Sequence, residues 1–165
     1  MSSPEQLLFY RRTVRLPAPS YREGGDPVLL TFCVRERGSD VLTRGAVATV
    51  IGEVIRADAE SGGVEVYVWC VMPDHVHVVV RPAGTDVVAW VGGVKGRVAA
   101  RARSLGVRSL WQRSFHDRVL WREEDLVPAV RYVLNNPVRA GLVGSWKEWV
   151  HSGSLVWDLS AWPES

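Results

Sequence analysis

Two histidines and one tyrosine carry the chemistry within reach of this chain. His75 and His77 stand in the run Val71-Met72-Pro73-Asp74-His75-Val76-His77-Val78-Val79-Val80. That run reads as the end of one strand, a tight turn at Pro73-Asp74 and the start of a second strand. Residues i and i+2 of a strand share a face, so the two imidazoles project side by side from an otherwise apolar segment. At that spacing they can share one metal ion. A lone strand histidine is better explained as a packed or solvated side chain. A same-face pair directly after a turn shifts the balance to metal binding, but a divalent ion needs more than two ligands.

A complementary pair occurs in Val130-Arg131-Tyr132-Val133-Leu134-Asn135-Asn136-Pro137. Tyr132 and Asn136 are four apart and share one side of a helix. The Asn136 amide oxygen is a hard ligand suited to Mg²⁺ or Mn²⁺. Tyr132 offers a hydroxyl nucleophile, and a tyrosine hydroxyl needs a base or a cation to act. Each residue alone has an ordinary explanation, a half-buried helix tyrosine and a cap before proline. Combined with His75 and His77, they are the residue types for metal-assisted attack by tyrosine on a phosphodiester.

The elements that must position these groups follow from the pattern around them. Pro27 to Arg35 is dense in strand formers and ends at Gly38-Ser39-Asp40. Thr43 is placed to cap a helix in which Ala46, Val50, Ile51, Val54 and Ile55 recur at helical spacing. That helix stops near Ser61-Gly62-Gly63. Val64 to Val71 alternates as a second strand and His75 to Arg81 forms a third, too closely linked to be anything but a hairpin. Thr85 or Asp86 caps a helix from about Val87 to Leu105. Leu110 to Leu120 reads as a fourth strand. Glu123-Glu124-Asp125 suits a helix start, and that helix runs from about Asp125 to Asn135, stopping before Pro137.

The order strand, helix, strand, strand, helix, strand predicts an α+β fold of ferredoxin-like (RRM-like) type, an antiparallel sheet with two helices on one face. A further C-terminal helix carries the tyrosine. The third strand then lies centrally beside the first, so the histidines sit on a rigid interior strand. Cys33 and Cys70 fall on the first and second strands, which are not neighbours, and are expected to be free thiols.

The 165 residues fit one domain, with a basic N-terminal arm over 1–26 and a tryptophan-rich tail over 144–165. The net charge of +2 says little about partners. Its distribution says more. Arg11, Arg12, Arg15 and Arg22 crowd the start, and Lys95, Arg97, Arg101, Arg103 and Arg108 the middle, where either group can meet phosphate or simply form a solvated face. Trp69, Trp111 and Trp121 lie in strand-like runs and are expected in the core. Trp146, Trp149 and Trp157 are freer to do either. No apolar leader and no apolar run of about 20 residues is present, so a soluble cytoplasmic protein is expected. No GxxxxGK[ST] loop occurs. His116 could flank the site or touch DNA but is better read as structural, Asp74 could support His75 although its turn already explains it, and His151 is read as incidental.

Met72-Pro73-Asp74-His75-Val76-His77 followed by Tyr132-Val133-Leu134-Asn135-Asn136-Pro137-Val138-Arg139-Ala140-Gly141-Leu142-Val143 resembles the IS200/IS605-like single-tyrosine transposases of the HUH superfamily, and within them the REP-associated tyrosine transposase branch. Trp111-Gln112-Arg113-Ser114-Phe115-His116-Asp117-Arg118 and the early Arg15-Leu16-Pro17 and Tyr21 segment extend the likeness to roughly 11–154. It departs at Trp149-Val150-His151-Ser152-Gly153-Ser154, where the family often has a Trp-Ser-Ser-like end.

The resemblance implies an enzyme that nicks and rejoins single-stranded, hairpin-bearing DNA, palindromic repeats in the REP branch. His75, His77 and Asn136 would hold a divalent ion, Mg²⁺ or Mn²⁺. Tyr132 would attack to give a 5′-phosphotyrosine. Arg11, Arg12, Lys95, Arg97 and Arg101 are candidates for backbone contact. The active form would be a monomer or a homodimer, with no membrane. The competing readings are a catalytically silent single-strand-binding module on the same fold, a replication initiator or relaxase, and a zinc hydrolase, which lacks the further His and carboxylate ligands such sites show.

Overall fold

Valine, leucine and phenylalanine fill the first strand so densely that nearly all of it is buried, and it takes an inner place in the sheet. The computed structural model describes residues 25–121 and 125–164. Its elements are β1 (Val28–Cys33), α1 (Val47–Glu60), β2 (Val64–Val71), β3 (His75–Pro82), α2 (Val87–Ser104), β4 (His116–Val119), α3 (Leu126–Leu134), α4 (Asn136–Arg139) and β5 (Ser152–Gly153). All pairings are antiparallel, and the strand order is β4-β1-β3-β2-β5. The ferredoxin-like arrangement is therefore present, with the histidine strand at its centre.

Alternation along β3 sends its residues to two different cores. Val76, Val78 and Val80 pack with Val28, Leu30 and Phe32 of β1 under α1 and α2. Val79 packs with Leu29, Val68 and Cys70 under Ala129, Val130, Val133 and Leu134 of α3. Two helices thus cover one face, and the tyrosine-bearing helix covers the other. Cys33 and Cys70 are free thiols separated by β3.

Several local expectations are corrected. The first helix begins after Ala46, without a side-chain cap. Thr43 is bonded into the preceding turn on Asp40, and Gly45 at φ +59° intervenes before the helix. Of the two caps expected for α2, Asp86 serves, accepting from the Ala89 N–H at 3.1 Å. The fourth strand shrinks to four residues, and Trp111 meets Val34 only as an isolated bridge. Past that bridge the Gln112 N–H still donates to the Cys33 carbonyl at 2.9 Å, while Lys95 Nζ takes up the carbonyls of Gln112, Arg113 and Ser114. Because the strand ends at Val119, Trp121 is 62% exposed and not in the core. β2 does not alternate evenly: its register shifts between Val66 and Val68, and Tyr67 and Val68 face the same core.

The C-terminal tail is built onto the sheet. β5 pairs with the outer edge of β2, and a Cβ on Gly153 would lie 2.2 Å from the Trp69 ring, so only glycine fits. Trp149 donates to the Val71 carbonyl at 3.0 Å, Ser154 to that of Tyr67 at 2.6 Å, and Trp146 is buried. Among the described residues no helix is long and apolar enough to cross a membrane.

Candidate functional site

The strand period does bring the histidines together, with ring centroids 4.7 Å apart and planes at 83°. They are held differently. His77 sits opposite Thr31 of β1, and Thr31 Oγ1 lies 2.9 Å from His77 Nδ1. His75 stands at the start of the central strand beside the hairpin turn, with Nδ1 2.7 Å from Asp74 Oδ1. The other Asp74 oxygen accepts from the Gly38 N–H at 2.8 Å and meets Arg37 Nε at 3.3 Å. Gly38 has φ +79°, a conformation that glycine adopts without strain. Of the two roles the sequence offered Asp74, a turn residue and a support for His75, the contact to His75 Nδ1 adds the second to the first. An acid directly before the first histidine was the available signal. Nothing local marks Thr31 or Arg37.

With both Nδ1 atoms engaged, the Nε2 atoms are left for another partner. His77 Nε2 is buried and has no hydrogen-bond partner among the described residues. A buried polar atom left without a partner costs about 1–3 kcal/mol unless something binds it. Tyr132 lies beside it, ring centroids 5.8 Å apart and planes at 72°. Asn136 follows at a break in the helix. Pro137 has no N–H to continue the ladder, so α3 ends at Leu134 and the short α4 begins at Asn136, with proline in its first turn. The Asn136 amide N–H donates to the Tyr132 carbonyl at 2.9 Å, which leaves its oxygen as an acceptor. Among the described residues only His77 (4% exposed) and Asn136 (7%) are buried polar side chains.

The electrostatics keep this pair neutral. Burial pushes the His77 pKa down to about 3, assisted by the charges of His75, Arg139 and Arg37 and opposed by the Asn136 side chain. Burial also lowers His75, against the pull of Asp74. Burial raises the Asp74 carboxyl, but the bonds from His75 and Gly38 and the Arg37 charge outweigh it, and the net shift is downward. Neutral imidazoles are the ligand form. Among the described residues no group of three or more His, Cys, Asp or Glu is placed to hold a metal. His75, His77 and the neutral Asn136 oxygen are the donor set that fits a divalent ion here, and the orphaned Nε2 is what argues for one.

The basic candidates are not brought to this cleft. Arg97 and Arg101 of α2 pair with Asp58 and Glu53 of α1, in the helical layer on the opposite side of the sheet. Lys95 is spent on three carbonyls. Arg11 and Arg12, with Glu123 and Glu124, lie outside the described residues. A residue passed over in the sequence does reach the cleft: the Arg139 guanidinium lies 4.2 Å from the Tyr132 ring centroid. His116 is exposed on the edge strand, and the His151 carbonyl accepts from the Val71 N–H at 2.9 Å.

Fold and site define an α+β domain in which a helix-borne tyrosine is set against a histidine pair on the central strand. A family model described as "Transposase IS200 like" matches residues 28–130, more than half of the chain, and the chain belongs to that family. Tyr132 and Asn136 lie just beyond the matched residues. Among solved structures, a REP-associated tyrosine transposase bound to a REP hairpin is similar in fold, with TM-score 0.70 and 24% identity over 86% of this chain and 82% of that one. A Deinococcus radiodurans protein assigned as a transposase aligns with TM-score 0.49 and 23% identity over 66% of this chain and 88% of its own. A comparison with curated proteins finds no match.

Proposed function

We propose that this chain is a single-tyrosine transposase of the REP-associated kind, which nicks and rejoins single-stranded, hairpin-bearing DNA through a covalent 5′-phosphotyrosine. The observation that carries the reading is the burial of His77, orphaned at Nε2, and of Asn136, directly beside Tyr132. Tyr132 is the nucleophile. Its oxygen bonds to the scissile phosphorus as the bond to the 3′ oxygen breaks, and the phosphodiester energy is kept in the new link, so a second 3′-hydroxyl can reverse the step without ATP. His75, His77 and Asn136 would hold a divalent ion, Mg²⁺ or Mn²⁺, which would supply Lewis acidity at the phosphate. Asp74 and Thr31 fix the two imidazoles through Nδ1, so that Nε2 faces the ligand in each. The hairpin substrate is supported by the structural neighbour in complex with a REP hairpin. Arg11 and Arg12 remain proposed backbone contacts. Lys95, Arg97 and Arg101 would have to exchange their present partners to serve as such. Tyr132 and His77 meet within one chain, which supports a site complete in a monomer, with a helix-exchanged homodimer as the other form.

The test is incubation with hairpin-bearing single-stranded oligonucleotides and Mg²⁺ or Mn²⁺, followed by a denaturing gel. The wild type forms a covalent adduct and Tyr132→Phe forms none. An adduct that survives in Tyr132→Phe removes Tyr132 from the role. Binding without an adduct, for every substrate and either metal, leaves a single-strand-binding module.

A further inference from the structure

Arg139 closes α4 with an exposed side chain, and its guanidinium rests on the ring of Tyr132 at 4.2 Å. A cation within about 6 Å of a ring centroid is held by the ring's quadrupole, so this arginine has a defined place. Its donors have none. Among the described residues no carboxylate pairs with Arg139 and no hydrogen bond reaches it. Arg37, Arg44, Arg97 and Arg101 are all neutralised by acids. Other stacked arginines lie on aromatics away from the histidines: Arg56 on Trp69, Arg81 on Tyr67 and Arg131 on Trp162. Arg139 is the one of these that combines an acid-free guanidinium with a place on the candidate nucleophile.

A guanidinium lying on an aromatic face keeps its N–H donors at its rim, where they match phosphate oxygens. We propose that Arg139 is a catalytic residue that binds a non-bridging oxygen of the phosphate attacked by Tyr132 and keeps that contact in the phosphotyrosine intermediate. The inference rests on the nucleophile reading above and adds a residue to it. In the step itself the tyrosine oxygen forms its bond to phosphorus and the 3′ oxygen departs. The phenol proton passes to water, and the leaving oxygen takes a proton from water. Two electron-rich groups must close on each other, and a fixed positive charge beside both lowers the cost of that approach.

Single-turnover adduct formation in Arg139→Ala, Arg139→Lys and wild type tests this. Oligonucleotide affinity is measured in parallel on a Tyr132→Phe background, and folding by thermal melting. Arg139→Ala is expected to slow adduct formation about a hundredfold with affinity nearly unchanged, because many backbone phosphates share ground-state binding. Arg139→Lys recovers part of the rate, and guanidinium ion added at non-denaturing concentration recovers part of it in Arg139→Ala. An unchanged rate in Arg139→Ala overturns the assignment. So does a slowed rate that neither lysine nor guanidinium recovers. If the wild type itself forms no adduct, it is the nucleophile reading that fails.

Discussion

Toward α1 and α2, the central strand presents Val76, Val78 and Val80; toward α3, it presents His75, His77 and Val79. The first face is closed by two long helices and joined by apolar residues from every strand but β5. The second is covered by the nine residues of α3 and by the C-terminal tail, and among the described residues it is the face that buries the polar side chains of His77 and Asn136. The difference divides the labour. One face stabilises the sheet, so the other can keep groups in forms that folding alone would not favour. Substitutions should separate the two: changes on the helical face should alter stability and leave chemistry per folded molecule intact, whereas changes on the other should do the reverse.

The largest effect is expected at Tyr132, the proposed nucleophile. Tyr132→Phe abolishes the covalent adduct while its melting curve hardly moves, and a melting loss equal to that of a core deletion would erase the contrast. Next is the helical face. Ile55→Ala removes a fully buried side chain under α1 and should cost about 2–5 kcal/mol in urea unfolding. Its adduct rate per folded molecule should match the wild type at low temperature. A smaller shift is expected at Asp74. Asp74→Ala should weaken Mn²⁺ binding about 10–100-fold by calorimetry, because His75 loses the partner that sets its ring. Unchanged affinity would return Asp74 to its turn.

The metal-free protein should also show the polar face in its pH dependence. Folded His77 stays neutral down to about 3, whereas the unfolded chain takes up that proton below 6.5. The unfolded state therefore binds more protons in this window. The stability is complete above pH 6.5 and declines as pH falls toward 3, by up to about 1.4 kcal/mol per pH unit. His77→Gln should flatten that part of the profile. The smallest effect belongs to the exposed helical layer. Arg97→Ala breaks a surface pair with Asp58 and should cost under about 1 kcal/mol with no change in oligonucleotide affinity. A clear affinity loss there would restore Arg97 as a DNA contact and blur the division between faces.

Strand period placed His75 and His77 on one side, and helix period did the same for Tyr132 and Asn136. Those are local facts, fixed by backbone geometry over a few residues. The order of the elements was also enough to choose the ferredoxin-like sheet and put the histidines at its centre. Strand lengths and caps were less legible, because contacts outside each element overrode them: Lys95 takes up the carbonyls of Gln112, Arg113 and Ser114, and Gly45 intervenes between Thr43 and the helix.

The sequence by itself determined which residues had the chemistry and which neighbours shared a face with them. Only the tertiary structure decided that α3 lies across the histidine side, that Asp74 is gripped from Arg37 and Gly38, that Thr31 holds His77, and that Arg139 comes to rest on Tyr132. These contacts join residues up to dozens of positions apart in the chain. They depend on how buried apolar faces close against one another, and no short-range spacing encodes that.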